Sequence, residues 1–348
     1  MGFVPLTDCA PLVVARETGA FARHGLRVDL HRELGWATIR DKIIHGELDA
    51  AHAVAGLPFA TSLGLGCVRC ECVTGLVLSL QGNAITLSRT LRDRGVRDAG
   101  TLREMIRREG KHHTPTFGVA FLHSSHNFLL RQWLRAAGIH PDRDVRIAVV
   151  PPPQMFKNLQ AGNLDGYCVG EPWNSQAIQA GVGFAAATSA DLAPRHPEKV
   201  LLVRADFARQ RAPEHEALIA ALLEAGAWCD DPANAPGLIR LLAQRDYLHT
   251  SVSALTPSLS GGFVRDEAGG SVPATAAPFH LFHGGGTNEP SADKAAWILR
   301  QMVAAGTITD RAVLTTPAVR EAFRPDIFHR AQQLTVPAAT PAATTLSA

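Results

Sequence analysis

A short pattern that occurs twice in the chain is the feature that most restricts its fold. The two copies are Gly46-Glu47-Leu48-Asp49-Ala50-Ala51-His52 and Gly162-Asn163-Leu164-Asp165-Gly166-Tyr167-Cys168. Each copy follows an amphipathic helical stretch and precedes a helix that starts with proline, at Pro58 and at Pro172. In both copies the glycine can end the helix, and the leucine can begin a buried strand. One such unit in each half of the chain predicts two related α/β lobes.

The first 205 residues alternate between apolar runs and amphipathic stretches. The apolar runs that predict strands are 2–6, 26–30, 48–54, 76–80, 84–88, 117–120 and 146–150. Helix starts are predicted at Asp8, at Thr101 with Glu104 as a capping box, and at Ser125. This alternation predicts parallel sheets covered by helices.

A length of 348 residues is typical of two domains. We predict one lobe from residues 1–85 and about 200–330, and a second from about 86–199. Residues 256–290 are rich in Gly, Ser and Pro and are predicted to form an extended loop region. Residues 336–348 consist mainly of Ala, Thr and Pro, and we predict that this tail is disordered.

Composition and charge exclude some classes of function. The formal net charge is +2, from 34 basic and 32 acidic residues, which gives no support for nucleic-acid binding. No apolar run approaches 18 residues, so no membrane span is predicted. The first residues run directly into a predicted strand and lack the features of a secretory signal. We therefore predict a cytoplasmic location, or a periplasmic one if a leader is missing.

The six cysteines also favour the cytoplasm. Cys67, Cys70 and Cys72 occur within one short stretch, which would be hazardous in an oxidising compartment. A single C-x-x-C without a second pair is weak support for zinc. Tolerated structural thiols are the favoured interpretation, and metal or redox chemistry is the alternative.

Signatures of enzymes are largely missing. The sequence contains no G-x-G-x-x-G, P-loop, H-E-x-x-H or G-x-S-x-G. His123 and His126, with the serines between them, could suggest nucleophilic chemistry, but a nucleophile also needs a base and an orienting acid. A capped helix start is the better interpretation. We predict that the protein is not an enzyme and needs no metal or cofactor.

The start of that helix could instead hold an anion. The first N–H groups of a helix have no intrahelical partner and carry partial positive charge. Taken alone, Lys199 reads as a solvated cation at the entrance of an apolar strand, and Trp36 as either a core residue or a cleft wall.

Several segments together resemble the nitrate- and bicarbonate-binding proteins of ABC transporters. The matching segments are 2–12 (GFVPLTDCAPL), 35–42 (GWATIRDK), 46–52 (GELDAAH), 82–88 (GNAITLS), 125–127 (SHN), 170–173 (GEPW) and 196–199 (HPEK). The resemblance extends from residue 2 to roughly residue 330. It implies a two-lobed α/β fold like that of periplasmic binding proteins (type II), with the ligand in the cleft between the lobes.

The resemblance also implies a set of ligand contacts. Trp36 matches the cleft tryptophan, His126 the cleft histidine, and Lys199 the lysine that marks nitrate binders; bicarbonate binders carry there an acidic residue tied to calcium. Asn83 stands where transport receptors often carry glutamine, and Gln81 could supply the amide instead. Three residues in the matching segments are expected to support the cleft, namely Asp8, Glu171 and Pro172.

Two functions remain open at this point. Asn83 in Gly-Asn-Ala-Ile-Thr looks more like the cytoplasmic nitrate/nitrite sensors of this family, which hold an RNA-binding antiterminator until the anion appears. The alternative is the binding subunit of an ABC-type nitrate importer, with a permease as partner. An enzyme of the thiamine-precursor type is a remoter alternative. Nitrate suits the carried-over residues, because this planar monoanion needs one positive charge and several N–H donors.

Overall fold

The computed structural model describes residues 1–266 and 278–334 as two mixed sheets surrounded by helices. The strands are β1 (Gly2–Phe3), β2 (His31–Arg32), β3 (Ala50–Val54), β4 (Cys72–Val73), β5 (Val77–Gln81), β6 (Asn83–Ser88), β7 (Thr116–Val119), β8 (Arg146–Val149), β9 (Gly166–Gly170), β10 (Gly183–Thr188), β11 (Pro197–Arg204) and β12 (His280–Leu281).

The helices cover both sheets, and four short 3-10 turns join some of them. The helices are α1 (Ala10–Glu17), α2 (Ala20–Arg23), α3 (Trp36–Ile44), α4 (Leu57–Leu63), α5 (Arg89–Asp93), α6 (Ala99–Glu109), α7 (Ser125–Ala136), α8 (Pro152–Gln160), α9 (Trp173–Gln179), α10 (Ser189–Leu192), α11 (Ala205–Gln210), α12 (Ala212–Asp230), α13 (Ala235–Ala243), α14 (Val252–Leu259), α15 (Ala292–Ala304), α16 (Pro317–Arg320) and α17 (Pro325–Gln332).

The strands divide into two sheets. The first sheet has the order β12-β5-β11-β3-β1-β2, with β4 also paired to β11, and the second has the order β10-β6-β9-β7-β8. Each sheet combines a parallel part with antiparallel strands: β11 runs antiparallel to β3 and β5, and β6 runs antiparallel to β9 and β10. The α/β prediction is therefore confirmed, and the predicted parallel pairing holds for β1 with β2 and β3 and for β7 with β8 and β9, whereas the other pairs of these strands are antiparallel.

The repeated pattern forms corresponding units in the two sheets. The first copy is α3, β3 and α4 in the first sheet, and the second is α8, β9 and α9 in the second sheet. Gly46 and Gly162 end their helices with φ of +74° and +76°, a left-handed conformation that side chains other than glycine disfavour. The predicted pair of related units is confirmed.

Two connections between strands of different sheets, from β5 to β6 and from β10 to β11, position the site. The chain leaves the first sheet at Gly82, whose φ of +96° turns β5 into β6. It returns between β10 and the start of β11. The buried apolar residues form one cluster around Phe3 and Ile219, a second that extends from Val54 to Tyr167, and a third around Phe117 in the second sheet. The exact lobe boundaries given above stay a prediction.

Three predicted local features differ from the structure. Residues 26–30 form no strand, and β2 begins at His31. The cap of α6 is Asp98, whose carboxylate accepts from the Thr101 N–H, so the capping box lies three residues before the predicted one. Within the predicted loop region 256–290, α14 reaches Leu259 and β12 is present. Residues 267–277 and the predicted tail 336–348 lie outside the described residues.

Two helix starts differ because their predicted caps have other partners. Asp8 caps nothing; it lies in a 3-10 turn, and its carboxylate contacts His52 and Lys199. The cap of α7 is Ser124, whose hydroxyl accepts from the Asn127 N–H. Ser125 is thus the first residue of α7, and its hydroxyl is available to donate to Glu198. Asp8 and Ser125 both belong to one buried cluster of polar residues.

Candidate binding site

A fully buried polar cluster lies where the two sheets approach each other. We call it the interlobe cluster and define it as Asp8, His52, Asn83, Ser125, His126, Glu198 and Lys199. Every member is at most 2% exposed. Asn83 begins β6, which is a strand of the second sheet. Ser125 and His126 begin α7, which packs against β9 of the same sheet. The other members belong to elements of the first sheet or to the turn that precedes α1.

Lys199 is the only lysine of the interlobe cluster and has two carboxylate partners. Its Nζ lies 2.6 Å from Asp8 Oδ2 and 2.5 Å from Glu198 Oε1. The same Nζ lies 5.1 Å from the centre of the Trp36 ring, at cation–π distance. Burial alone would lower the pKa of Lys199, but the two carboxylates outweigh burial and raise the pKa above its ordinary value. Lys199 therefore stays protonated.

Asp8 completes the charge arrangement on the other side of Lys199. Its Oδ1 lies 2.8 Å from His52 Nε2. Burial would raise the pKa of Asp8, yet Lys199 and His52 hold it far below the ordinary value. Burial also lowers the pKa of His52, so its imidazole is neutral near pH 7 and can donate through Nε2.

Glu198 accepts more hydrogen bonds than any other member of the interlobe cluster. Its Oε2 accepts from Asn83 Nδ2 at 2.6 Å, from His196 Nε2 at 3.0 Å and from the Ser125 hydroxyl. Its Oε1 accepts from Lys199 and lies 3.3 Å from His126 Nε2, outside hydrogen-bond geometry. Burial raises the pKa of Glu198, but Lys199 and His126 bring it well below the ordinary value. Its carboxylate is therefore charged.

Four of the five predicted ligand contacts come together here, namely Trp36, Asn83, His126 and Lys199. The rings of Trp36 and His126 lie 5.6 Å apart. Gln81 does not join them, because its Nε2 donates to the Pro278 carbonyl and its Oε1 accepts from the Arg195 N–H. The structure thus places the amide of Asn83 in the interlobe cluster and directs that of Gln81 elsewhere.

Several buried polar atoms of these residues have no hydrogen-bond partner among the described residues. They are Trp36 Nε1, Asn83 Oδ1 and both ring nitrogens of His126. Burial lowers the pKa of His126 to about 4, so its ring is neutral at pH 7. Buried polar groups are rarely left without partners in proteins. These atoms are therefore candidates for contacts with a polar ligand.

The three residues expected to support the cleft lie at or beside the interlobe cluster. Asp8 is a member, as described above. The Glu171 carbonyl accepts from the Thr7 N–H at 2.9 Å and so ties the turn before α1 to the end of β9. Burial raises the pKa of the Glu171 carboxyl to about 7. The Glu171–Pro172 peptide is cis, and Pro172 directly precedes α9.

Sequence reasoning missed Glu198, His52 and Ser125 as members of the cluster. Adjacent residues of a regular strand point to opposite faces, so the sequence pattern does not predict that Glu198 and Lys199 meet. The pairing of β11 with β5 shifts register between Pro197 and Lys199, and again between Lys199 and Val200. Such bulges re-aim side chains. The signal for Glu198 is its place in the Pro-Glu-Lys segment, directly before the predicted ligand contact Lys199.

No group of three or more His, Cys, Asp or Glu residues within 1–266 and 278–334 has an arrangement that could hold a metal ion. Over the same ranges, no helix is both long and apolar enough to cross a membrane. All six cysteines are free thiols. Chemically, this site combines one buried ammonium, two buried carboxylates and several neutral donors.

Comparison with known proteins identifies the family. The model of the NMT1-like family matches residues 1–243. The nitrate import ATP-binding protein NrtC of Synechocystis is 40% identical over 333 residues, 95% of this chain and 49% of NrtC. The bicarbonate transport ATP-binding protein CmpC of the same organism is 43% identical over 88% of this chain and 46% of CmpC.

Binding proteins are also among the relatives. The nitrate/nitrite binding protein NrtA of Synechococcus elongatus is 35% identical over 75% of this chain and 61% of NrtA. The crystal structure of the periplasmic nitrate-binding protein NrtA from Synechocystis superposes with a TM-score of 0.89 at 28% identity, covering 97% of this chain and 88% of that one.

This chain spans between about half and three fifths of the length of these curated relatives. The relatives named here are transport and binding proteins, and the match to the NrtA structure confirms the predicted two-lobed fold of periplasmic binding proteins. The chain belongs to the NMT1-like family and is a homologue of the nitrate/nitrite binding protein NrtA.

Proposed function

We propose that this chain binds nitrate or nitrite between its two lobes, as the solute-binding component of an ABC-type import system. The observation that carries the proposal is Lys199, a protonated lysine that is fully buried between Asp8, Glu198 and the Trp36 ring. A buried charge of this kind is costly unless it serves a partner or a ligand. The choice of nitrate or nitrite as the ligand rests on the similarity to the nitrate/nitrite binding protein NrtA.

The chemistry of the surrounding groups suits a weakly basic, planar monoanion. Asn83 and Ser125 offer neutral donors, His126 offers a neutral ring, and Trp36 has an indole N–H without a partner among the described residues. Lys199 already pairs with Asp8 and Glu198, so an anion of single charge has to share or take over one of these ion pairs and then meets several neutral donors. A dry environment strengthens these interactions, because water does not screen them.

Selectivity against bicarbonate is part of the proposal and rests on Lys199. The family resemblance places an acidic residue tied to calcium at this position in bicarbonate binders. Relatives named for nitrate and for bicarbonate match this chain about equally well, so overall identity does not decide between the anions. Because the acidic Glu198 lies next to Lys199 in the interlobe cluster, selectivity is tested by measuring the binding of both anions directly.

A cytoplasmic nitrate or nitrite sensor is the second candidate function. Cys67, Cys70 and Cys72 lie within six residues, and all three are free thiols. The hydrogen bond with Cys72 lowers the pKa of Cys70 to about 7, so much of this thiol would be a reactive thiolate at neutral pH. A reducing compartment would protect it. For a sensor, the open form of the protein would hold an RNA-binding antiterminator. Closure of the lobes around the anion would move the rims of the cleft near Pro58 and Pro172 and so release the antiterminator.

Calorimetric titration of the purified protein tests the ligand. We expect saturable binding of nitrate or nitrite, weaker binding of sulfate, and no binding of bicarbonate with or without calcium. Tight calcium-dependent bicarbonate binding would overturn the choice of ligand.

Co-purification of binding partners from cells grown with and without nitrate distinguishes the import function from the sensor function. Recovery of a permease, with the protein in the periplasmic fraction, supports the import reading. Recovery of an RNA-binding regulator only in the absence of nitrate supports the sensor reading.

A further inference from the structure

The carboxylate of Glu198 makes the contacts that an oxyanion would make at this site. It accepts from Lys199, Asn83, Ser125 and His196, and His126 lies 3.3 Å away. We propose that Glu198 is an internal surrogate for the anionic ligand: it occupies the donors in the absence of the anion and must be displaced from Lys199 and Asn83 before the anion binds. The identity of the displacing anion rests on the function proposed above.

The chemical likeness between the surrogate and the proposed ligand is close. A carboxylate, like nitrate and nitrite, is planar, carries one negative charge, and presents two oxygens that accept hydrogen bonds in the plane. The donors of Glu198 are an ammonium, an amide, a hydroxyl and an imidazole. A donor set that suits one of these groups suits the other, so the two compete for it.

The charges around Lys199 make this competition obligatory. Asp8 and Glu198 place two negative charges against one positive charge, all fully buried. The neighbouring imidazoles of His52, His126 and His280 add no charge near pH 7, because burial lowers the pKa of each. His196 faces an acceptor at each ring nitrogen, the Ala193 carbonyl at 2.9 Å and Glu198 Oε2 at 3.0 Å, and so serves Glu198 as a further donor. A third negative charge beside Asp8 and Glu198 would be repelled by both carboxylates, which is strongly unfavourable in a buried site. The anion therefore replaces the Glu198 carboxylate at Lys199.

The position of Glu198 also links the two lobes. Its partners Asn83 and Ser125 begin β6 and α7 beside the second sheet, whereas Glu198 itself lies in β11 of the first sheet. These hydrogen bonds hold the lobes together as a bound anion would. The bulged register of β11 around Lys199 is the local feature that allows both neighbours to face the cluster. The surrogate thus favours closure and weakens the apparent affinity for the anion.

Two variants separate this proposal from a simple structural role. Glu198→Gln keeps the shape and removes the charge, and we expect it to bind nitrate and nitrite about tenfold more tightly or better, since a competing charge is removed. Glu198→Ala leaves space for a small carboxylate, and we expect formate or acetate to bind this variant and close the lobes. The wild-type protein should not respond to either.

The readouts are calorimetry for affinity and small-angle X-ray scattering for the radius of gyration, measured first without nitrate, nitrite or carboxylate ions. Both variants should be more open than the wild type before an anion is added, and formate should make Glu198→Ala compact again. Glu33→Gln is the matched control, because Glu33 pairs with Lys42 at 2.6 Å outside the interlobe cluster. It should keep the wild-type affinity and compactness.

The outcomes distinguish the two proposals. If Glu198→Gln binds nitrate more weakly, or neither variant opens and formate has no effect, the surrogate is disproved while nitrate binding stands. If no form binds nitrate or nitrite but formate closes Glu198→Ala, the proposed ligand is wrong and the surrogate role of Glu198 is supported. Tighter nitrate binding by Glu198→Gln together with rescue by formate supports both.

Discussion

The ammonium of Lys199 lies 2.6 Å from Asp8 Oδ2, although 191 positions of sequence separate the two residues. This pair joins the turn before α1 to the first residues of β11. Asp8 can balance Lys199 by itself, so the second carboxylate, that of Glu198, is free to exchange for another anion.

Removing the charge of Lys199 should abolish tight anion binding. Lys199→Gln alone would leave Asp8 and Glu198 without their counter-ion and could unfold the protein, so we compare Glu198→Gln with Glu198→Gln/Lys199→Gln. Nitrate affinity should fall roughly 100-fold or more in the double variant, because a lost buried charge pair costs about 3–5 kcal/mol. Calorimetry measures the change, and Lys42→Gln serves as the control. A loss below threefold would show that Lys199 does not contact the anion.

His126 should contribute a single hydrogen bond to the anion. Both of its ring nitrogens lack hydrogen-bond partners among the described residues, and its ring packs 5.6 Å from that of Trp36. His126→Ala should weaken nitrate binding about tenfold or more, since one such bond contributes roughly 1.5 kcal/mol. Titration of the folded variant gives the answer; an unchanged dissociation constant would remove His126 from the proposed contacts.

Anion affinity should strengthen as the pH falls from 7.5 to 5. The pKa of His126 is lowered to about 4 chiefly by burial, while Glu198 and Asp8 raise it and Lys199 and His196 lower it further. Glu198 makes no hydrogen bond with His126, whereas an anion that accepts one from its ring would raise this pKa, so the complex binds more protons than the free protein. Affinity then increases as pH falls, by at most about tenfold per pH unit for one proton. Titrations at several pH values test this, and a flat profile would mean that His126 donates as a neutral ring.

Trp36 should report ligand binding by its fluorescence. Its ring lies 5.1 Å from the Lys199 ammonium and is fully buried, so exchange of the anion beside Lys199 changes its surroundings. We expect nitrate to alter the intrinsic emission of the wild type, and Trp36→Phe to lose most of this change while the other four tryptophans remain. A response of equal size in Trp36→Phe would assign the signal to another tryptophan.

Folding stability should decrease in acid, and His215 should be one cause. Burial lowers its pKa from 6.5 to about 4, helped by Arg324 and Arg330, and neither ring nitrogen has a hydrogen-bond partner among the described residues. Below pH 6.5 the unfolded chain takes up a proton that the folded protein refuses until about pH 4. Stability is therefore lost as the pH falls through this window, by up to about 3 kcal/mol for one such group.

His215→Met removes this titration without removing a hydrogen bond. The free energy of unfolding in urea should fall less between pH 7 and pH 4.5 for this variant than for the wild type. The exposed His45 provides the control, since His45→Gln should behave as the wild type does. An equal acid loss in His215→Met would show that other groups cause the acid sensitivity.

The sequence by itself determined the fold class and most of the candidate contacts. The two copies of the repeated pattern predicted two related α/β units because glycine and leucine have local roles that their positions reveal. The matched segments pointed to Trp36, Asn83, His126 and Lys199, and the structure brings these four together. Residue type and spacing are sufficient for the fold class, since they act over short stretches of chain, whereas the contacts came from the resemblance of short segments to a family.

Only the tertiary structure decided which amide joins the interlobe cluster and which acids meet Lys199. Gln81 ends β5 and Asn83 begins β6, and the contacts of Gln81 with Pro278 and Arg195 keep it out of the cluster. Glu198 joins its own neighbour Lys199 because bulges in β11 interrupt the alternation of side chains. Asp8 arrives from the far end of the chain. Contacts of this kind depend on strand register and on how the two sheets approach, which no local pattern specifies.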